Sequence, residues 1–227
     1  MTDVAANLAR VRERIERACR RAGRDPAGVR LVGVGKTKPP ELLAEAVAAG
    51  LSDIGENYVR EFLEKRERLS PSIRWHFVGR LQSNKARQVV GKVELIHSLD
   101  RESLLEEIEK RAAAAGVVVR GLLKVNLGGE AAKGGADEAV ARRLLETAAA
   151  MPHLRVEGLM SIPPPQDDPE ALRPWHRRLA RLAETLRRET GLPLPELSMG
   201  MSSDLETAVE EGATLVRVGT DLFGPRH

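Results

Sequence analysis

Residues 31–40 read LVGVGKTKPP: a run of β-branched residues and glycines meets Lys36, and Pro39 and Pro40 follow. LVGVG has no polar side chain, the pattern of a short buried strand. The two prolines suit the first turn of a helix, ELLAEAVAAG, that stops at Gly50. Lys36 therefore falls at the carboxyl end of a strand, the end at which parallel α/β proteins bind ligands. A lysine held there by apolar neighbours can lose charge through desolvation, which frees its amine to attack a carbonyl and form a Schiff base. The competing reading is a solvated lysine at a strand end.

The same strand–helix unit recurs on both sides of this stretch. Before it, Val4, Leu8, Val11, Ile15, Ala18 and Cys19 recur at helical spacing, so residues 3–22 form an amphipathic helix ended by Gly23. After it come strands in LSDIGEN, RWHFVG, KVELIHSLD, VVVRGLLKVN, LRVEGLMS, PELSMG and TLVRVG. Helices follow in YVREFLEKRERL, in SNKARQVV with Ser83 as candidate cap, at 101–114 capped by Asp100, at 137–150, and from Leu172 to Thr190. Ser203 and Glu206 form a capping box opening a helix over 204–211, closed by Gly212. IPPPQDDPE is a loop, because its prolines forbid ladder and helix alike. Eight strands alternating with helices predict a (β/α)8 TIM barrel, with residues 1–23 as an extra N-terminal helix packed on it. A doubly wound open sheet is the alternative. No domain boundary is visible, so residues 1–227 are expected to form one domain.

Composition narrows the class. The chain is 42% hydrophobic and 30% charged, which suits a soluble globular protein. It has no apolar run long enough to span a membrane and no signal-peptide core, so the expected compartment is the cytoplasm. One cysteine, Cys19, excludes an internal disulfide and a cysteine-cluster metal site, and no metal is assigned. A pI of about 9.2 with a net charge of only +3 is too weak to argue for nucleic acid.

In a barrel the residues just after each strand collect on one face. They include Lys36, Asn57, His97, Ser161, Gly200 to Ser203, Gly219 and Thr220. Phosphate sites in barrels commonly lie after strands seven and eight, where glycines admit the backbone and hydroxyls donate. Arg217 and Gly219 are two apart, so both face the barrel interior. An arginine there needs a partner, either a core carboxylate or an acceptor on a ligand. A Schiff-base lysine, a phosphate cradle and an inward arginine together suggest pyridoxal 5'-phosphate, with the arginine meeting the ring nitrogen. The two histidines have open roles: facing the ring is one reading of His97, and His76, between Trp75 and Phe77, reads rather as a hydrogen-bonded core residue. Tyr58 is expected to pack over the start of its helix.

Seven stretches make the chain familiar: VGKTKP at 34–39, GENYVRE at 55–61, WHFVGRLQSNK at 75–85, IHSLD at 96–100, VNLGGEAAKGG at 125–135, GLMSIP at 158–163, and the long run from Leu197 to Arg226. With them the chain resembles the pyridoxal phosphate homeostasis proteins, whose fold is similar to the N-terminal barrel of alanine racemase. The resemblance implies that Lys36 carries the cofactor and that Ser202, Gly219 and Thr220 hold its phosphate. It further implies that Arg217 meets the ring nitrogen and that Asn57 is the pocket asparagine. Departures from the family pattern are Gly35 for serine, Ile54 for phenylalanine and Arg60 for glutamine.

Two functions compete. One is a non-catalytic carrier of pyridoxal phosphate that supports vitamin B6 balance and supplies apo-enzymes. The other is an amino-acid racemase of the same fold. Racemisation needs a base on each face of the α-carbon. In alanine racemases the second base is a tyrosine from a further domain of the partner subunit, and the only tyrosine here is Tyr58. An arginine at the ring nitrogen also weakens the electron sink. Both points favour the carrier, and the lack of a second domain suits a monomer. A cofactor-free Schiff-base aldolase leaves Arg217 without a reason.

Overall fold

The computed structural model describes residues 2–129 and 134–225. Part of the stretch 125–135, and Arg226, therefore lie outside the described residues. Eight parallel strands close into a barrel in sequence order, β8 pairing with β1. They are β1 (Arg30–Val34), β2 (Asp53–Glu56), β3 (Arg74–Phe77), β4 (Leu95–Leu99), β5 (Val119–Lys124), β6 (Leu154–Met160), β7 (Glu196–Ser198) and β8 (Leu215–Val218). The helices are α1 (Val4–Arg21), α2 (Pro40–Ala48), α3 (Val59–Arg68), α4 (Glu102–Ala115), α5 (Glu138–Ala149), α6 (Arg173–Thr190), α7 (Leu205–Glu210) and α8 (Thr220–Phe223). The closed (β/α)8 barrel with its extra N-terminal helix is the fold expected from the strand–helix repeat; the open sheet is excluded by the β1–β8 pairing. Among the described residues no helix is long and apolar enough to cross a membrane.

Strand alternation sorts the side chains into two cores. Leu31, Ile54, Trp75, Phe77, Ile96 and Leu123 point outward and pack under the helices. Inside the barrel the apolar cluster is small: Val32, Leu95, Leu122, Met160 and Leu215. The rest of the interior is polar. At the amino ends of the strands ion pairs form a floor, Arg30 with Glu196, Arg74 with Asp53, and Arg120 with both Glu94 and Glu157. Above them lie His76, His97, Ser198 and Arg217, all buried.

Three local expectations fail. SNKARQ forms a 3-10 helix over Ser83–Gln88, with Gln82 rather than Ser83 at its start. The turn stops at Gln88, although Ala86, Val89 and Val90 of the expected helix are all buried. Asp100 does not cap α4, whose first flanking residue is Arg101; the Asp100 carboxylate pairs with Arg101 at 2.5 Å instead. The box at Ser203 does not form either. Ser203 is exposed, and Asp204 precedes α7, accepting from the Met201 N–H at 2.7 Å and bonding His176 at 2.9 Å.

Helix α1 buries Val4, Leu8, Val11 and Ile15 and reaches the carboxyl end of the barrel through Arg14. That guanidinium bonds the Ser202 carbonyl at 2.8 Å and Glu206 at 2.7 Å, and pairs with Asp221. Asn7 donates to the Leu222 carbonyl at 2.9 Å. The loop after β7 and the short helix α8 are thus fixed to each other through α1.

Candidate functional site

At the carboxyl ends of the strands a cavity of about 490 Å³ opens, and Lys36, Asn57, Ser202, Arg217, Gly219 and Thr220 all line it. Its apolar walls come from Val34, Val78, Ile162 and Met201, of which only Met201, in the stretch 200–203, was among the candidate site residues. Lys36 enters from the turn after β1, Asn57 from the end of β2, Arg217 from the floor, and the other three from the loops after β7 and β8.

Each polar group is placed by its strand or by a neighbour. Gly219 directly precedes α8, and a Cβ there would stand 3.3 Å from the Val34 carbonyl. A bare backbone lets the two strand ends approach and leaves room beside the first turn of α8, whose N–H groups no earlier helix carbonyl can take. The Ser202 hydroxyl accepts from the Asp221 N–H at 3.3 Å, which joins the two loops. The Asn57 amide oxygen is buried in the wall and has no hydrogen-bond partner among the described residues. An unpaired buried acceptor costs stability, so its presence in a cavity wall suits a ligand donor.

Arg217 is 5% exposed and has no ion pair among the described residues. It donates to the Ser198 hydroxyl at 2.6 Å and the Ser161 carbonyl at 2.9 Å. Of the two partners weighed for it, a core carboxylate does not pair with it among the described residues. Burial lowers its pKa to about 10, so it remains a cation at neutral pH.

Below Arg217 a chain of hydrogen bonds runs down the barrel. Ser198 Oγ lies 2.8 Å from His97 Nδ1, His97 Nε2 lies 2.9 Å from His76 Nδ1, and His76 Nε2 lies 3.0 Å from Asp53 Oδ1. Arg74 closes it, donating to Asp53 at 2.6 and 2.9 Å. Arg217 can only donate and ionised Asp53 can only accept. With both rings neutral, one arrangement satisfies every group: Ser198 donates to His97, His97 to His76, and His76 to Asp53. His97 therefore does not face the cavity; it lies behind Ser198, fully buried. His76 is the core residue expected. Tyr58 is 56% exposed at the start of α3.

These environments set an acid-stability profile. Burial, with repulsion from His76 and Arg217, holds the His97 pKa well below its ordinary value. Although burial opposes it, hydrogen bonds from His76, Arg74 and Ser52 hold Asp53 below the usual carboxylate range. Burial pushes Glu56 the other way, up to about 7, despite its bond to Lys65. Below about pH 6.5 the unfolded chain protonates His97 while the fold does not, so acid destabilises. Between about 4.3 and 7 the fold protonates Glu56 while the unfolded chain does not, so acid stabilises. The two slopes oppose each other down to about pH 4.3; below it the Glu56 contribution ends, and Asp53, held low in the fold, adds to the acid destabilisation. Glu56→Gln should expose the His97 slope, about 1.4 kcal/mol per unit, already from about pH 6.5. Urea unfolding across pH checks this, and superimposable profiles for wild type and variant would refute it.

A parallel barrel with a lysine, an inward arginine and two hydroxyl-bearing loops at one mouth defines the site, and the family model of the alanine racemase N-terminal domain matches residues 6–227. The chain is 50% identical over 220 residues to the pyridoxal phosphate homeostasis protein of Aquifex aeolicus, covering 96% of each chain. It is 44% identical over 227 residues to the protein of the same name from Pseudomonas aeruginosa, covering 100% of this chain and 97% of that one. PipY of Synechococcus elongatus, solved with PLP bound, superposes with a TM-score of 0.88 at 36% identity, covering 98% of this chain and 100% of PipY. The chain belongs to the pyridoxal phosphate homeostasis protein family.

Proposed function

We propose that this protein holds pyridoxal 5'-phosphate as a Schiff base on Lys36 and acts as a carrier in cellular vitamin B6 balance, without racemase activity. The observation that carries the reading is the convergence of Lys36, Arg217, Asn57, Ser202, Gly219 and Thr220 on one cavity. The relative solved with PLP bound supports it. When bound, the cofactor supplies an aldehyde for the lysine and an electron-withdrawing ring. Lys36 anchors it covalently, Ser202 and Thr220 with the first turn of α8 take the phosphate, and Asn57 offers an acceptor to a ring substituent. Arg217, still cationic at neutral pH, has N–H groups beyond those given to Ser198 and Ser161 and would donate one to the ring nitrogen, which would then need no proton of its own.

The racemase reading needs a second base, and neither the tyrosine nor the histidine weighed for that role lines the cavity. The only tyrosine, Tyr58, is exposed and does not line the cavity. His97 is shut behind Ser198. The decisive experiment joins two measurements on the purified holo-protein. Borohydride followed by digestion and mass spectrometry should place the adduct on Lys36, whereas an adduct on Lys38 would overturn the assignment. In deuterated water, α-proton exchange of alanine should not exceed that with free pyridoxal phosphate and an amine; exchange with inversion would make the protein a racemase. Delivery follows from mixing the holo-protein with an apo-form of a pyridoxal phosphate enzyme and recording its activation.

The phosphate assignment makes its own prediction. Ser202→Ala or Thr220→Val each removes one charge-assisted hydrogen bond, worth roughly 1.5–3 kcal/mol, or about tenfold or more in affinity. Equilibrium dialysis should show the loss, with melting temperature little changed. Unaltered affinity in the double variant would move the phosphate elsewhere.

A further inference from the structure

The turn that carries Lys36 is tied at both flanks to one ion cluster. Lys65 of α3 has its side chain only 6% exposed, and its ammonium donates to Glu56 Oε1 at 2.7 Å, to Glu61 Oε2 at 2.9 Å and to the Gly35 carbonyl at 2.8 Å. These three bonds use all three ammonium protons. Glu61 Oε2 also accepts the Thr37 N–H at 2.8 Å. So the residue before Lys36 is held by the cation of the cluster, and the residue after it by one of the anions.

The backbone gives the cluster something to hold. Thr37 has φ of 62°, a left-handed conformation that a β-branched residue rarely adopts. Such a conformation persists only where surrounding contacts impose it. The Lys38 N–H closes the turn on the Gly35 carbonyl at 3.0 Å, so the same carbonyl anchors both the turn and Lys65. Glu56 points outward from β2 and Glu61 and Lys65 are one turn apart on α3. The cluster therefore fastens the turn to the strand–helix unit beside it.

We propose that the Glu56–Lys65–Glu61 cluster is a clamp that positions the Lys36 turn and thereby slows loss of the bound cofactor. The second half rests on the reading that Lys36 carries pyridoxal phosphate; the first half does not. Glu61 and Lys65 act through the backbone and touch no ligand, so they are positioning residues.

The test uses Glu61→Ala, which removes the Thr37 acceptor, beside Glu61→Gln, which keeps an acceptor oxygen. Glu61 is partly exposed, so neither change threatens the fold. The first readout is hydrogen exchange of the Thr37 amide, followed by NMR without added cofactor. It should quicken about tenfold in Glu61→Ala and stay near wild type in Glu61→Gln. The second is the rate at which pyridoxal 5'-phosphate leaves the loaded protein into an excess of trapping amine. It should rise about tenfold in the alanine variant and return to near wild type with glutamine. Equal release from wild type and Glu61→Ala, with the adduct on Lys36, would overturn the clamp's role in retention. Equal acceleration in both variants would reduce it to general loosening and overturn it too. Should wild type show no adduct on Lys36, the cofactor reading fails by itself, and unchanged Thr37 exchange is then the result that overturns the clamp.

Discussion

Lys36→Ala is expected to abolish the borohydride-stable adduct and to lower retention of pyridoxal phosphate by about a hundredfold or more. The effect is the largest available at this site because it removes the one covalent link. What remains is the noncovalent set from Ser202, Thr220, Asn57 and Arg217, each bond to a charged group worth roughly 1.5–3 kcal/mol. That set should still hold the cofactor weakly at its phosphate. Gel filtration followed by the visible spectrum measures retention, and the digest locates any adduct. A yellow variant with a new adduct on Lys38, which lines the same cavity, would show that the site chooses between two amines.

His97→Ala is expected to cost about 3–5 kcal/mol of folding stability, the largest loss from any single change in the barrel interior. His97 is fully buried and is the only link between His76 and Ser198 in the hydrogen-bond chain described. Truncating it opens a cavity and leaves two buried polar groups short of a partner. Urea unfolding would report the loss; a change below about 1 kcal/mol would mean that water or a shifted neighbour replaces the ring. Because His97 does not line the cavity, the folded fraction of the variant should still form the adduct on Lys36. A variant that folds normally yet forms no adduct would make His97 part of the cofactor chemistry.

Much of this was legible in the chain. The repeat of strand and helix was visible because strands buried on both faces read as apolar runs and the helices carry 3.6-residue stripes. The binding residues were legible because a barrel gathers strand ends at one mouth, so position in the strand fixes the face. The parity that turned Arg217 inward also applies to Asp53, His76, His97 and Ser198. Their connection was not legible, since it runs across β2, β3, β4, β7 and β8, and no local pattern states which of five strands meet inside. The helix starts failed for the same reason at shorter range. Asp100 and Ser203 are good caps by residue type, but Arg101 takes the first, and the Asp204 contacts to His176 and Met201 displace the second. The clamp joins residues 35, 56, 61 and 65 from a turn, a strand and a helix, a meeting that only the packed fold creates.

Gly35 sets a limit on how this sequence can drift. A Cβ at that position would stand 2.8 Å from Leu43 Cδ2 and 2.9 Å from Glu56 Oε1. Both are side-chain ends, so the obstacle can be cleared by its neighbours rather than by the backbone. Gly35→Ala alone should therefore lose stability, while the same change with Leu43→Val, which withdraws the leucine branch, should recover much of it; thermal melts of the two single variants and the pair would measure the coupling. A serine there would meet the Glu56 carboxylate as well. Positions 35, 43 and 56 thus share one space: a substitution at one is acceptable or harmful according to what occupies the other two.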